Sequence, residues 1–525
     1  MPPNSPQPVL LAARRIHTMD GPSNGQDADA LLVHDGRILA VGRASELRDA
    51  AGSTLAFPDA TITPGLTDSH VHLVEWALSL RRVNVASTDS PEAAAALAAS
   101  AGPGSGGWIV GHGWSRHRWG GPPHRDVLDR HLPDTPVLLT SSDMHAAWAN
   151  SAALARAGLD ESVADPEGGR IARGPDGRLT GVLYDNAMPL LFAAVPTPSR
   201  AERAEATVEG QAVLHRSGIT SVHTVEPDSL GLLETLRAED RLRLRILQHL
   251  PLARLDEAIA LGLRSGFGGE WIRIGGIKMF LDGSLGSLTA WMVDPYEGTR
   301  ERGMQTLATD EFRDAIRRAA AAGLAGTVHA IGDAAVGLAL DVLAAPEHGV
   351  PAIPHRIEHV QLLPPDRAAD AGRAGITCSV QPAHLLADWQ PADRYWGRER
   401  SRRAYAFRSL RDGGAVLAFG SDMPAGPMDP RLALRAATTR QEPAGEPGGG
   451  WYPEERLSMA EALESFTVGP AMAAGRPGAG RLAPGAQADL AIWRQDPLEL
   501  GGAGIMELEC RATMIAGQIV WDGDA

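Results

Sequence analysis

The sequence has few of the residues that define several protein classes, beginning with cysteine. Cys378 and Cys510 are the only cysteines among 525 residues, and they lie far apart. Two such residues cannot build a disulfide framework and are consistent with a reducing compartment. Apolar runs are also short: none approaches the roughly 20 residues of a membrane-spanning helix, and Val9–Ala13 is too short for a signal-peptide core. We therefore expect a soluble, cytoplasmic protein.

Positive charge is in deficit as well. The chain has 49 lysines and arginines against 64 aspartates and glutamates, a formal net charge of −15, and no basic block. This balance argues against nucleic acid and membrane as partners and leaves a small-molecule substrate open. The hydrophobic residues, 44% of the chain, can bury large cores, and the length indicates two or three domains.

Short strands occupy both ends of the chain. Ala30–Val33 and Ile38–Val41 flank an Asp-Gly turn, and Asp489–Trp493, Ala512–Ala516 and Ile519–Trp521 follow near the C-terminus. Neither end has enough strands to bury a core alone. The pattern predicts one small β-sandwich built from residues 1–62 and 476–525.

Between the ends, strand-like runs alternate with helical stretches, which is the pattern of a parallel α/β fold. Eight such units predict a TIM-like (β/α)8 barrel over residues 63–475, with the active site at the C-terminal ends of the strands. The predicted strands are Gly65–His72, Gly218–Thr224, Leu242–Leu250, Gly275–Leu281, Gly326–Ala330, Arg356–Leu362, Ile376–Gln381 and Val416–Asp422.

One connection is much longer than a crossover requires. Residues from about 80 to 210 separate the first two barrel strands and contain strand-like pieces of their own, Trp108–His112 and Val137–Thr140. An insertion after barrel strand 1 lies at the catalytic end, where we expect it to form a lid or a wall of the substrate pocket.

The first barrel strand carries a histidine pair, in Thr63-Pro-Gly-Leu-Thr-Asp-Ser-His-Val-His72. Residues i and i+2 of a strand point to one face, so His70 and His72 can reach the same metal ion. The spacing alone is weak, because a chain with 17 histidines produces such pairs by chance. Two histidines on a polar strand end are the alternative.

Polar side chains also end other predicted strands. Each has an ordinary explanation by itself: a strand-end histidine is usually hydrogen-bonded, and a lysine in an apolar strand snorkels or pairs with an acid. Together they converge on one end of one barrel. The residues are His223 on the second strand, Lys278 on the fourth, His329 on the fifth, His359 on the sixth and Asp422 on the eighth.

This joint pattern resembles the amidohydrolase superfamily, and in particular the amidohydrolase-3 branch that includes N-substituted formamide deformylase. The resemblance covers nearly the whole chain. The matching segments are Pro64–His72, Gly181–Asp185, Lys278–Ser284, His329–Asp333, Pro354–His359, Ser379–Pro382, Gly420–Pro424 and Gly480–Leu490.

The resemblance implies a metal site for a divalent ion, most simply Zn²⁺. His70, His72 and Asp422 would bind a first ion, and His329 and His359 a second. Lys278 would add CO₂ and bridge the two ions as a carbamate. A one-ion site, with Lys278 as a charged substrate contact, is the alternative.

Catalytic roles follow from the same resemblance. A metal-bound hydroxide would attack the substrate carbonyl. Asp422 would accept its proton and deliver it to the departing nitrogen, and His223 would donate to the oxyanion. Asp68, Glu358, Gln361 and Asp333 are candidates for orienting ligand side chains, with surface or loop-capping roles as the alternative.

Substrate contacts are predicted in the insertion and at further strand ends. Tryptophans in the insertion could equally form its core. Ser115 stands where the branch has an acid, and Asp185 where a glutamate is more familiar, so a particular substrate does not transfer. The candidates are Trp76, Trp114, His145, Asp185, Asp282 and Gln381.

We therefore expect a metal-dependent amidohydrolase that cleaves a linear amide or N-substituted formamide, with a homodimer allowed. A mononuclear-metal deaminase of an aminated ring is the second hypothesis, although Val360 and Gln361 follow His359 where such deaminases commonly have an acid. A binding or assembly protein that has lost catalysis is the third. It is disfavoured because all six ligand positions are filled.

Overall fold

A computed structural model describes residues 7–21, 25, 27–116, 118–142, 144, 146–166, 169–345 and 351–524. None of the helices within these ranges is both long enough and apolar enough to cross a bilayer. The strands, in chain order, are β1 Val9–Ile16, β2 Ala30–His34, β3 Arg37–Gly42, β4 Ser53–Pro64, β5 Leu66–Val71, β6 Val83–Asn84, β7 Ile109–Trp114, β8 Val137–Ser141, β9 Ala146–Ala149, β10 Gly169–Arg173, β11 Leu179–Asp185, β12 Ile219–Thr224, β13 Arg245–Pro251, β14 Ile272–Phe280, β15 Gly326–Ala330, β16 Arg356–His359, β17 Thr377–Val380, β18 Val416–Phe419, β19 Leu490–Trp493, β20 Cys510–Ile515 and β21 Gln518–Asp522.

Helices connect most of these strands. They are α1 Ala44–Leu47, α2 Leu73–Ser79, α3 Pro91–Ala101, α4 Arg125–His131, α5 Ser151–Arg156, α6 Met188–Phe192, α7 Arg200–Arg216, α8 Leu230–Ala238, α9 Leu255–Ala260, α10 Thr309–Ala321, α11 Asp333–Leu343, α12 Asp370–Ala374, α13 Leu385–Tyr395, α14 Arg398–Ser401, α15 Phe407–Asp412, α16 Pro430–Thr439, α17 Met459–Phe466, α18 Val468–Ala473 and α19 Pro497–Gly504.

The predicted barrel is confirmed as an eight-stranded parallel sheet. Its strand order is β5-β12-β13-β14-β15-β16-β17-β18, so every strand pairs with its neighbour along the barrel sequence. The strands are rich in fully buried apolar residues, as expected where helices cover the outer face of a parallel sheet. Strand β16 ends at His359 instead of the predicted Leu362, because the chain turns there with positive φ at His359 (77°) and Val360 (45°).

The ring of strands is nearly closed where the last strand meets the first. The Asp422 amide donates to the His70 carbonyl at 2.8 Å, and the His72 amide donates to the Met423 carbonyl at 2.9 Å. Gly420 makes this approach possible, since a Cβ on it would lie 2.6 Å from the His70 nitrogen. Closure therefore brings the histidine pair next to Asp422.

The two chain ends form one sheet, in the order β21-β20-β19-β4-β1-β2-β3. The predicted composite of both ends is thus confirmed, as a single continuous sheet that curls over its own core. Ala488 closes the curl: its amide donates to the Gly36 carbonyl at 2.8 Å, and its carbonyl accepts from the Gly517 amide at 3.0 Å. Core residues come from both ends, among them Leu11, Val33, Ile62, Ile492 and Met514.

The chain divides into two compact units: residues 1–73 with 211–525, and residues 74–210. The second unit has its own six-stranded sheet, in the order β10-β11-β9-β8-β7-β6. Its core contains buried tryptophans, including Trp114 and Trp148. The long insertion is therefore a folded unit with its own hydrophobic core.

Candidate metal centre

The histidine pair lies at the C-terminal end of β5 with both imidazoles near one carboxylate. His70 Nε2 lies 3.4 Å and His72 Nε2 3.6 Å from Asp422 Oδ1. Val71, between them, is fully buried on the opposite face. The His70 side chain is buried, whereas 34% of the His72 side chain is exposed. The alternation of a strand thus directs both rings to one point, as the spacing predicts.

Two more imidazoles extend this group. The ring centroid of His359 lies 5.1 Å from that of His70 and 4.5 Å from that of His329. One ligand atom from each of His70, His359 and Asp422 lies within 4.8 Å of the other two. The barrel therefore brings side chains of β5, β15, β16 and the segment after β18 into one cluster.

Neighbouring acceptors determine which nitrogen of each ring carries the proton. Since a carboxylate can only accept, His70 Nδ1–H donates to Glu358 Oε2 at 2.6 Å, and the Nε2 lone pair faces Asp422. His329 Nε2–H donates to the Gly283 carbonyl at 3.0 Å and leaves Nδ1 as the free ligand atom. Such contacts fix the tautomer of a metal-binding histidine.

Lys278 enters the same region from β14. It is buried, and its Nζ has no hydrogen-bond partner among the described residues. The amine lies 4.4 Å from the centre of the Phe280 ring. Burial lowers the pKa of Lys278 to about 8. A buried amine without an acceptor leaves a large desolvation cost uncompensated, which is rare in folded proteins.

The electrostatics of the cluster suit a divalent cation. Burial holds the pKa of His359 well below its usual range and lowers that of His329 to about 3, so both rings are neutral. Burial alone would raise the pKa of Asp422, but the surrounding imidazoles outweigh it and hold that pKa well below its usual range. Neutral imidazoles with an ionised carboxylate form a donor set that zinc and similar ions bind. The residues present therefore fit the implied ion.

The backbone at these ligands is constrained. His359, Val360 and Asp422 have φ of 77°, 45° and 58°, a region that residues with a Cβ rarely adopt. Each such conformation costs on the order of 1–3 kcal/mol. Strain concentrated at two ligand positions is typical of a site whose geometry is selected for function.

Of the candidates for orienting ligands, Glu358 contacts an imidazole. Asp68 instead accepts backbone amides, from His70 at 3.2 Å and Ser421 at 2.9 Å. Asp333 accepts the Val293 amide at 2.8 Å. Asp68 and Asp333 therefore hold backbone in place, which was the alternative foreseen for them.

His223, predicted as the oxyanion donor, lies inside the barrel and is 2% exposed. Its Nδ1 accepts from Arg356 Nη1 at 3.0 Å, so the remaining proton is on Nε2. Arg356 also lies 2.6 Å from Glu358 Oε1 through its Nε and donates to Ser379 Oγ at 2.7 Å. The donor role of His223 stays a prediction, whereas its tautomer suits a donor.

Asp282, predicted as a substrate contact, holds backbone in place, and its contact with a substrate stays a prediction. Its side chain is completely enclosed. The carboxylate accepts the backbone amides of Trp291 at 2.9 Å, Ile331 at 3.1 Å and Gly332 at 2.8 Å. These contacts tie the segment after β14 to the end of β15. The acid thereby holds the loops around His329 in place.

The remaining substrate candidates divide into buried residues and undescribed ones. Trp114 is a core residue of the second unit: it stacks on Trp119 at 5.9 Å, and its Nε1 donates to the Leu139 carbonyl at 2.8 Å. The ring is 1% exposed, and a substrate contact at Trp114 stays a prediction. Trp76 is likewise buried, at 5%. His145 lies outside the described residues, and Asp185 is described only through the backbone of β11.

Gln381 and a histidine missed at the sequence level lie beyond β17. Gln381 is buried, and its Oε1 has no hydrogen-bond partner among the described residues. The His384 ring is nearly parallel to that of His359, with centroids 6.4 Å apart. His384 follows the strand by four residues, on a 3₁₀ turn, so a search of strand ends overlooks it. A histidine shortly after the seventh strand, at the end of the barrel that carries the ligand cluster, could have indicated this residue.

Comparison with known proteins agrees with this geometry. A profile described as "Amidohydrolase family", that of the amidohydrolase-3 branch, matches residues 58–521. The Arabidopsis thaliana protein LONG AFTER FAR-RED 3 is 34% identical over 508 residues, 92% of this chain and 86% of that protein. The N-substituted formamide deformylase of Arthrobacter pascens is 26% identical over 548 residues, 98% of each.

A solved structure shares the fold over almost the same extent. The uncharacterized metal-dependent hydrolase from Pyrococcus furiosus superposes with a TM-score of 0.78 at 28% identity, covering 94% of this chain and 100% of that one. The family expected from the strand-end motifs is therefore confirmed. This chain belongs to the amidohydrolase family.

Proposed function

We propose that this protein is a metal-dependent hydrolase that cleaves the C–N bond of a small, non-peptide amide, with N-substituted formamides as the first substrate class to test. The observation that carries the proposal is the cluster of His70, His359 and Asp422, with ligand atoms within 4.8 Å of one another. The similarity to a formamide deformylase over 98% of both chains supports the substrate class.

Two ions account for all six ligand positions. His70, His72 and Asp422 would hold the first ion, and His329 and His359 the second, with zinc as the first candidate. The orphaned, buried Nζ of Lys278 supports a carbamate at this position. In that reaction the neutral amine bonds to the carbon of CO₂ and releases one proton, giving an anion with two oxygens for the two ions.

A bound divalent ion lowers the pKa of water from 15.7 to about 7 and polarises a carbonyl oxygen. The protein then has to move a proton, and Asp422 is suited to this task. Its carboxylate contacts both histidines of the pair and is 13% exposed, so a substrate can reach it. Asp422 would accept the proton of the attacking water and deliver it to the departing nitrogen. His223 Nε2–H is the proposed donor to the oxyanion.

The test is a substrate panel assayed with zinc-loaded protein. The panel contains N-formyl amines, N-acyl amines, cyclic amides and aminated rings, with separate detection of primary amine and of ammonia. The proposal expects amine release from N-formyl or N-acyl amines that chelator removes and zinc restores. Ammonia from aminated rings alone would instead support a deaminase, and no product from any class would overturn the hydrolase proposal.

A further inference from the structure

A cavity lined by both apolar and charged residues lies at the N-terminal end of the barrel, opposite the ligand cluster. It is about 70 Å³ in volume, several times the ~10–15 Å³ that one water molecule needs. Its lining includes the first residues of β5, β13 and β14 and the segment 476–489 that leads into β19. Four arginines face this space: Arg245, Arg273, Arg476 and Arg481.

The acids that line the cavity are already paired. Asp489 is engaged by Arg245, whose Nη2 donates to Oδ1 at 2.9 Å and whose Nε contacts Oδ2. Glu270 contacts the guanidinium of Arg37. These two carboxylates therefore pair with Arg245 and Arg37. Arg481 pairs with Asp20, whose Oδ1 lies 3.2 Å from Nη1, so that Arg273 and Arg476 are the cavity arginines left to account for.

Arg273 and Arg476 have no ion-pair partner in the described part of the chain. Arg273 donates to two backbone carbonyls, Gly266 at 3.1 Å and Ala474 at 2.9 Å. Arg476 donates to Gln487 Oε1 at 2.6 Å. Burial and then the neighbouring charges of Arg245 and Arg273 lower the pKa of Arg476, and the more weakly acting Asp489 and Glu270 only partly oppose this shift. The guanidinium groups thus repel one another around a shared space.

Two further donors at the cavity are unsatisfied. Arg481 Nε and Gln487 Nε2 are buried, and neither has a hydrogen-bond acceptor among the described residues. A buried N–H without an acceptor costs about 1–3 kcal/mol. An occupant that accepts hydrogen bonds and carries negative charge would satisfy both donors and offset the arginine repulsion.

We propose that this cavity binds a small oxyanion, with Arg273, Arg476, Arg481 and Gln487 as its donors. The planar fork of a guanidinium matches the oxygens of phosphate, sulfate and carboxylate equally well. The four donors belong to the N-terminal end of the barrel, whereas the proposed metal ligands lie at its C-terminal end. His223, the proposed oxyanion donor of the reaction, also lines the cavity.

Titration calorimetry with the metal-loaded protein tests the site. Sulfate, phosphate and acetate are added separately at constant ionic strength, with chloride as the background. We expect at least one of these anions to bind saturably, with one equivalent per chain. The same binding in D422N would locate the site away from the metal centre.

Variants of the cavity distinguish a binding site from a structural arginine cluster. R476Q is expected to weaken binding about 10- to 100-fold, the loss of one or two charge-assisted hydrogen bonds. R313Q is the matched control, since Arg313 lies exposed on α10. In chloride, R476Q should unfold at the same or a higher temperature than the wild type, because like-charge repulsion is removed.

Several outcomes would overturn the proposal. These are no saturable binding by the wild type, equal affinity of R476Q, or binding that D422N abolishes. If R476Q does not fold, R481Q provides the same comparison, because its Nε is one of the two unsatisfied donors. Destabilised R476Q with an unchanged anion response would assign the cluster a purely structural role.

Discussion

The carboxylate of Glu358 connects the barrel interior to the ligand cluster, and E358Q tests that connection. Glu358 is completely buried and contacts two neighbours: Oε2 accepts from His70 Nδ1 at 2.6 Å, and Oε1 forms an ion pair with Arg356, whose Nε lies 2.6 Å away. Burial alone would raise the pKa of Glu358, but Arg356 and His70 outweigh it and hold that pKa well below its usual range. The native side chain is therefore an anion that interacts with both His70 and Arg356.

Glutamine cannot replace it. An amide has one oxygen and one NH₂ group, so either the His70 Nδ1–H or the Arg356 guanidinium must face another donor. If the NH₂ faces His70, the ring proton moves to Nε2 and occupies the lone pair that faces Asp422. We expect metal affinity to fall about 10- to 100-fold. Arg356 also loses its counter-ion, which costs about 3–5 kcal/mol of unfolding free energy.

Both effects are measurable on the same preparation. Competition with a chromophoric chelator gives the metal affinity, and urea titration of the metal-free protein gives stability. E455Q is the matched control, because Glu455 is also buried but bonds Ser409, whose amide lies 2.9 Å from Oε2. Folded E358Q that binds metal within twofold of the wild type would refute the assigned tautomer of His70.

Three further predictions concern catalysis and stability. D422N should lower turnover by about 10²- to 10⁴-fold, with an unchanged circular dichroism spectrum, since it removes the proton carrier; near-normal turnover would contradict that role. Burial lowers the pKa of His215 from 6.5 to about 4, so the unfolded state binds more protons in this range and stability falls as pH drops. Urea titrations from pH 7 to 4 measure this loss of unfolding free energy, and H215Q should reduce it by up to about 3 kcal/mol. The control H131Q, at an exposed position, should show the same loss as the wild type. S458A should cost about 1 kcal/mol by removing the capping box of α17, against no change in the exposed-helix control S100A; equal stabilities would exclude a contribution from the cap.

The barrel could be predicted because parallel strands read as apolar runs between helices. The ligand positions followed from the rule that the C-terminal ends of these strands meet, so residues as distant as His70 and Asp422 could be grouped without knowing a contact. The end of β16 was placed too late, since nothing in the segment His359-Val-Gln-Leu362 indicates the turn.

The contacts around the ligands could not be predicted from the sequence. In the sequence, Arg356 is only a polar residue at the start of a strand. Its hydrogen-bond partners lie on β5, β12 and β17, and these strands come close to Arg356 only when the barrel closes. Asp282 resembled a ligand-facing acid because its backbone partners lie in loops without periodicity. Trp114 was ambiguous between pocket and core, and the structure places its ring in the hydrophobic core of the insertion.

Metal content tests the central claim most directly. The measurement is the number of divalent ions bound per chain, by elemental analysis of protein prepared without chelator or affinity tag, together with amide hydrolysis of the same sample. We predict two ions per chain, loss of hydrolysis on chelation and its recovery with zinc. One ion would support the mononuclear site with Lys278 as a substrate contact. No bound ion, with no hydrolysis after added zinc, would contradict the account.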